Sequence, residues 1–485
     1  MNSFDYFFQN TSNLDKPFLV GKEEISFKDL YTASMELASW LRNEVGENKN
    51  ILILSHNNLF FLKAYLAILK SGNICIPLDP AIEEENFRYI AGLTDPLLVF
   101  LTRDLTRKLP VESLNCVFPD TLEQYAAELP ALKIENEFDK NRCAEIIFTS
   151  GSTGKPKGVM ISHKNLVANT SSIIQYLELS PDDRMLVVLP FYYCYGLSLM
   201  HTHLRVGGSV VLNNSFIFLG TIFNNLIDYK CTGFAGVPSH FQIILRKSET
   251  FQKTSFPDLR YVTQAGGKLA TVFIDEFRAS QPKVKFYVMY GQTEATARLS
   301  YLPPDIYEKK KGSMGKGIPG VELRVVNEMG ENILPGETGE VIARGENIMI
   351  GYFADEEGTR NAIRHGWLYT GDLGTVDNED YIFLTARSKE ILKVRGKRIS
   401  PKEIEAVILE IQDVIDCTIE GIEDEIEGEK LKATVQVRKE QIIQVTRELI
   451  IEHCSKHLAM YKIPQVYEIK TDMTISATGK KIKKF

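Results

Sequence analysis

The segment Ile146-Ile-Phe-Thr149-Ser150-Gly151-Ser152-Thr153-Gly154-Lys155-Pro-Lys-Gly-Val159 crowds glycines, hydroxyls and lysines into one short stretch. These are the groups an oxyanion needs. Glycines let backbone N–H groups fold around an anion, hydroxyls donate hydrogen bonds, and an ammonium group balances charge. An apolar strand running into such a loop therefore predicts a phosphate site. It is not a Walker A loop, which needs four residues before its Gly-Lys pair and a Ser or Thr after it. Here only Ser152 and Thr153 separate Gly151 from Gly154-Lys155, and Pro156 follows. A Ser/Gly-rich turn without function is the alternative.

Other groups could act beside such a loop. Glu294 closes the run Tyr290-Gly291-Gln292-Thr293-Glu294. Taken alone it reads as a solvated carboxylate, but next to a phosphate loop it would need a cation in between, which suggests a magnesium ligand. Asp372 follows Gly371 after the strand-like Trp367 to Thr370, where it could accept hydrogen bonds from a ribose diol or simply open a turn. Gln264-Ala-Gly266-Gly267-Lys268 on its own reads as a tight turn. Lys480 lies among other lysines near the end of the chain, the composition of a solvated tail.

The elements that must hold these groups are legible in the apolar periodicity. Ser26, with Asp29 three residues on, stands as the N-cap of an amphipathic helix carrying Phe27, Leu30, Leu37 and Leu41. A strand at Ile51 to Leu54, a helix from Leu59 to Lys70 ending at Gly72, and a strand at Ile74 to Leu78 follow. The same β-α-β alternation returns at Met185 to Leu189, Leu197 to Val206 and Ser209 to Leu212. This predicts an α/β fold with parallel-rich sheets covered by helices. Beyond about residue 388 the pattern changes: a helix over Pro401 to Ile411, strands near Val414 to Ile419 and Leu431 to Val437, and a helix from Thr446 to Leu458. We expect a large domain over residues 1–388 and a small α+β domain over 389–485. Lys309 to Lys311 read as a solvated loop.

With 485 residues, 44% hydrophobic and 25% charged, the chain can bury two or three cores. A net charge of −7 argues against nucleic acid as a partner. The seven cysteines show no Cys-x-x-Cys pair, which argues against a zinc site or a disulfide framework. No run is long and apolar enough to span a bilayer, and the N-terminus has no signal-peptide pattern, so a cytoplasmic location is expected.

Taken in order, the phosphate-type loop, Tyr290 to Glu294, Tyr369-Thr-Gly-Asp372, Arg387 to Glu405 and Thr478-Gly-Lys480 resemble the motif series of the adenylate-forming superfamily. That superfamily includes acyl-CoA synthetases, luciferases and nonribosomal-peptide adenylation domains. The resemblance covers nearly the whole chain and implies ATP and magnesium as cofactors. It implies that Thr149 to Lys155, with Gly266, Gly267 and Tyr290 to Thr293, hold the nucleotide. Glu294, with a weaker contact from Thr149, would hold the metal, and Asp372 and Arg387 the ribose. Lys480 would bridge carboxylate and α-phosphate, Lys389 would be a hinge, Gly396 would line a thiol tunnel, and Lys393 would assist the second half-reaction. The usual glycine before Arg387 is Ala386 here, and Lys389 stands where many members have Asp.

Pro190-Phe-Tyr-Tyr193-Cys194-Tyr-Gly196-Leu-Ser198 resembles the start of the acyl-binding region, so Tyr193, Cys194 and Gly196 are expected in the acyl pocket. Amino-acid-activating members carry an aspartate where this chain has Cys194. An unpaired ammonium is costly to bury, which disfavours α-amino acids. Tyr192, Tyr193 and Tyr195 could equally be core packing. The expected reaction is formation of an acyl-AMP from a small carboxylic acid with release of pyrophosphate, then transfer to the thiol of coenzyme A. The phosphopantetheine thiol of a carrier protein is the alternative acceptor. A non-catalytic nucleotide-binding descendant should have lost Lys480 or Glu294, and both are present.

Overall fold

The computed structural model describes residues 1–125, 138–149, 155–387, 390–394, 397–424, 428–438 and 441–471. Its local structure follows the chemistry of the segments. Ser26 Oγ accepts from the Asp29 N–H at 3.0 Å and starts the helix Phe27–Val45, which buries Phe27, Leu30, Leu37 and Leu41. The helix Leu59–Lys70 stops before Gly72, whose φ of +77° an L side chain adopts only under strain.

Among the described residues, two sheets dominate the large domain. In one, six neighbouring strands are parallel: Lys285–Tyr290, Tyr261–Gln264, Gly233–Gly236, Arg184–Val187, Ser209–Leu212 and Pro17–Val20. In the other, Cys143–Thr149, Ile74–Leu78, Asn50–Leu54, Leu98–Leu101 and Cys116–Val117 run parallel. Helices cover both, as the β-α-β alternation predicts, and the chain closes over a core that includes Phe61, Tyr65, Leu186, Val210 and Phe234.

From Val321 to Arg387 the chain departs from parallel winding. Val321–Val326, Gly339–Gly345, Trp367–Val376 and Ile382–Arg387 form an antiparallel sheet. Short connections such as Asp377 to Tyr381 allow hairpins here, whereas parallel neighbours need a long crossover. Lys310 is also no solvated residue: it pairs with Asp377 at 2.8 Å and with Glu379, and its side chain is 15% exposed. Lys311 pairs with Asp275 at 2.5 Å.

The small C-terminal domain is α+β. The hairpin Leu392–Val394 and Lys397–Ile399 leads into the helix Pro401–Ile408. The strands Val414–Asp424, Gly428–Val437 and Val466–Lys470 form a sheet packed with the helix Arg447–His457. This domain rests on the large one through Arg246, which pairs with Glu276 at 2.5 Å and donates to the carbonyls of Ile411, Gln412 and Val414. No helix among the described residues is long and apolar enough to cross a membrane.

Candidate active site

The predicted phosphate loop is flanked by two strands that pair with each other. Cys143–Thr149 pairs antiparallel with Lys157–Ser162, and Thr149 lies opposite Lys157, its hydroxyl 3.5 Å from the Lys157 carbonyl. A Walker A loop instead opens a helix, so topology agrees with spacing in setting the two apart. Ser150 to Gly154 lie outside the described residues. Lys155 is exposed, with Nζ 5.3 Å from the centre of the Tyr89 ring.

Glu294 is brought to this hairpin by a strand that the sequence does not mark. Gly351–Tyr352 adds antiparallel to Lys157–Ser162, and the Met349 N–H donates to the Glu294 carbonyl at 2.9 Å. The Tyr352 hydroxyl then donates to Glu294 Oε1 at 2.9 Å. Burial first, and then the Glu294 charge, push the Tyr352 phenol up, so it stays a donor. Lys157 Nζ sits 4.9 Å from the Tyr352 ring centre and pairs with Asp355 at 2.8 Å. Glu294 is thus half-buried beside the Tyr352 hydroxyl, with Oε2 unpartnered among the described residues. Sequence reasoning missed Tyr352; its only local signal is the Gly-Tyr pair.

Asp372 lies inside a strand, not in a turn. Trp367–Val376 continues past Gly371, but its pairing with Gly339–Gly345 shifts between Glu340 and Ile342, leaving a bulge at residues 370–372. Thr370 Oγ1 donates to the Val341 carbonyl at 2.6 Å and the Gly371 N–H to Glu340 Oε1 at 3.0 Å, with Gly371 at φ +74°. Bulges re-aim side chains, and this one turns the Asp372 carboxylate inward, to 5% exposure. Asp372 is directly opposite Arg387 in the neighbouring strand, and Arg387 Nε donates to Oδ1 at 3.0 Å. The Tyr290 hydroxyl donates to Oδ2 at 2.6 Å. Burial first, then Asp372, hold the Tyr290 phenol well above its ordinary range, so it too remains a donor.

Gly291 lets the chain double back: a Cβ there would stand 2.0 Å from the Ala297 carbonyl oxygen. Gln264 Nε2 donates to the Gly267 carbonyl at 2.7 Å, and Gly266 has a φ of +81°. Two buried polar atoms of these segments, Gln264 Oε1 and Gln292 Nε2, have no partner among the described residues. Buried groups without partners are costly, and a hydrogen-bonding ligand such as a nucleotide would satisfy them.

Cys194 begins the helix Cys194–Val206, and its Sγ lies 3.6 Å from Thr293 Oγ1, joining the acyl segment to the motif that carries Glu294. Tyr193 caps that helix, its ring 4.7 Å from that of Tyr192. Gly196 is buried, and a Cβ on it would lie 2.1 Å from the Pro190 carbonyl oxygen, so its lack of a side chain serves backbone packing. Of Lys393 only the backbone is described, in the hairpin strand Leu392–Val394. Lys389, Gly396 and Lys480 lie outside the described residues.

A large α/β domain whose nucleotide-type motifs converge at strand ends, followed by a small α+β domain, is the layout of adenylate-forming enzymes. Residues 7–353 match the family model of AMP-binding enzymes and residues 403–480 that of the AMP-binding enzyme C-terminal domain. The chain belongs to this family, and its class is that of the AMP-forming acid–thiol ligases. It is 29% identical over 482 residues to an oxalate–CoA ligase of Arabidopsis thaliana, covering 95% of this chain and 92% of that protein. It is 29% identical to a 2-succinylbenzoate–CoA ligase of Bacillus pumilus, covering 94% and 91%. The solved o-succinylbenzoate CoA synthetase from Bacillus subtilis, in complex with its acyl-adenylate intermediate, superposes with a TM-score of 0.86 at 24% identity over 99% of this chain and 96% of that one.

Proposed function

We propose that this protein converts a carboxylic acid without an α-amino group to its coenzyme A thioester through an acyl-AMP. The observation that carries the proposal is that the Glu294–Tyr352 edge lies on the hairpin that carries Thr149 and Lys157, while Tyr290, at the start of the same motif as Glu294, is bonded into the Asp372–Arg387 cluster. In the first step a carboxylate oxygen bonds to the α-phosphorus and the bond to pyrophosphate breaks. In the second the coenzyme A sulfur bonds to the acyl carbon, and AMP leaves with the carbonyl–oxygen bond pair.

Each group has a part in this. Asp372 accepts from the ribose hydroxyls while Tyr290 and Arg387 fix its orientation. Thr149 to Lys155 and Thr293 donate to phosphate oxygens, and Gly266 and Gly267 admit the adenine. Glu294, held by Tyr352, would be the main protein ligand of a magnesium ion, with Thr149 as a weaker one. That ion would neutralise triphosphate charge. Lys480 places its ammonium where charge develops at the α-phosphorus, which is electrostatic stabilisation of the transition state. The small domain, taken as residues 389–485, turns about Lys389 to exchange Lys480 for the Gly396 ribbon, with Lys393 assisting the thiol step. Excluding water during closure protects the reactive acyl-AMP. Cys194 puts no carboxylate at the position where amino-acid-activating relatives pair a substrate ammonium. We place the enzyme in the cytoplasm, consistent with seven free cysteines in the structure.

A pyrophosphate-release screen over aliphatic, aromatic and amino acids, with and without coenzyme A, tests this. Release should need ATP and magnesium, favour acids without an α-amino group, and yield thioester with free coenzyme A. Thioester formed only on a carrier protein would assign the phosphopantetheine thiol as acceptor. Robust activation of α-amino acids alone would overturn the argument from Cys194.

A further inference from the structure

Two arginines are buried among the described residues, and they differ in one respect. Arg246, at 3% exposure, has Glu276 as its counter-ion. Arg298, at 2% exposure, has among the described residues no carboxylate within ion-pair distance and no hydrogen-bond partner for its Nε. Its remaining contacts are neutral: Nη1 donates to the Ala297 carbonyl at 3.2 Å, the Tyr176 hydroxyl is within hydrogen-bond reach, and the guanidinium lies 3.9 Å from the centre of the Tyr195 ring. Removing a cation from water costs several kcal/mol, and a ring face with neutral oxygens offsets only part of that.

The backbone is arranged to hold this cation inward. Arg298 follows Thr296 and Ala297, at φ +57° and +114°, and the second of these is a strained value for an L residue. Asn347 secures the turn, with Nδ2 donating to the Ala295 carbonyl at 3.2 Å and the Arg298 carbonyl at 2.8 Å, while Thr296 Oγ1 donates to the Asn347 carbonyl at 2.6 Å. The placement ties Arg298 to the acid side of the site. Tyr195, under the guanidinium, is the residue after Cys194, and its hydroxyl lies 2.9 Å from Thr263 Oγ1, next to Gln264. Thr293, in contact with Cys194, begins the same turn that ends in Arg298.

We propose that Arg298 is the anion subsite of the acid pocket and that the substrate is a dicarboxylic acid, one carboxylate being activated and the other pairing with this guanidinium. The assignment rests on the ligase reading above for the identity of the first carboxylate. It supplies the missing counter-ion with a group of the right charge and bidentate shape.

The test compares succinate, glutarate, adipate and phthalate, each against its monomethyl ester, with the full-length protein. Two quantities are measured: kcat/KM for pyrophosphate release, and equilibrium binding of the acid by calorimetry without ATP. At least one diacid should exceed its monoester by about 10- to 100-fold in both, through KM more than kcat, the worth of a charge-assisted pair. Arg298→Met should abolish that preference and raise the relative use of monoesters; Arg298→Lys should retain part of it. Diacid binding that depends on Arg298 but leads to no pyrophosphate release would uphold the subsite and overturn the ligase reading. Monoesters bound and used as well as diacids by the unmodified protein would overturn the subsite. So would an Arg298→Met protein that is folded yet loses diacids and monoesters in equal proportion, the result expected of a purely structural arginine.

Discussion

Replacing Asp372 separates a structural role from a nucleotide-binding one, because the structure sets a different magnitude for each. Its carboxylate has about four acceptor positions. Tyr290 and Arg387 take one each, at 2.6 and 3.0 Å, which leaves two for a ribose diol. In Asp372→Ala the buried Tyr290 hydroxyl loses its acceptor, costing about 1–3 kcal/mol of stability. The Arg387 side chain is 62% exposed and can turn to water, so that pair adds only about 0–1 kcal/mol. Asp372→Asn keeps an acceptor for Tyr290 and should fall within about 1 kcal/mol of the parent. Towards ATP the order of effects is larger. One lost charge-assisted hydrogen bond raises KM for ATP by about tenfold and two by about 100-fold. Urea unfolding and ATP–pyrophosphate exchange at saturating acid measure the two quantities. The reasoning fails if Asp372→Ala weakens stability as calculated but leaves KM for ATP unchanged, since Asp372 would then be only an anchor for Tyr290.

Glu294→Gln should raise the magnesium requirement for adenylation severely without unfolding the protein, and Tyr352→Phe should do so more mildly by freeing the carboxylate; magnesium titrations of pyrophosphate release measure both, and unchanged activity at limiting magnesium removes Glu294 from the metal site. Lys480→Ala should cripple acyl-AMP formation yet spare transfer from supplied acyl-AMP, whereas Gly396→Leu should do the reverse; equal damage to both half-reactions would refute the alternating small domain. Glu145 is fully buried under the Tyr65 hydroxyl at 2.7 Å, and burial raises its carboxyl to about 7. A folded-state value above the ordinary 4.5 favours the protonated form, so Glu145 contributes stability at low pH that is lost as pH rises from about 4.5 to about 7. His201, lowered by burial to about 3, acts with opposite sign, its contribution growing as pH rises from about 3 to about 6.5. Urea unfolding of Glu145→Gln against the parent isolates the first slope, and parallel stability–pH curves would refute it.

What the sequence determined by itself is what depends on near neighbours in the chain. Apolar spacing and capping residues marked Ile74–Leu78 and Ser209–Leu212 to the residue, and the Ser26 cap appears as read, because these signals act over a few positions. The ordered motifs likewise marked Glu294, Asp372 and Tyr290, which the structure brings into hydrogen-bonded clusters. Strand ends were less legible: the stretch read as Met185 to Leu189 is Arg184–Val187, and the helix after it starts at Cys194, earlier than Leu197. Only the tertiary structure decided how residues far apart in the chain meet. The bulge that aims Asp372 at Tyr290 depends on pairing with residues 339–345, and the Tyr352 donor for Glu294 depends on a two-residue edge strand. Arg298 in sequence is one cation among many and would by default be assigned to the surface. Its burial without a counter-ion among the described residues is a property of the packing of Tyr195, Tyr176 and Asn347 around one strained turn, contacts that no local pattern encodes because they join segments about fifty to more than a hundred residues apart.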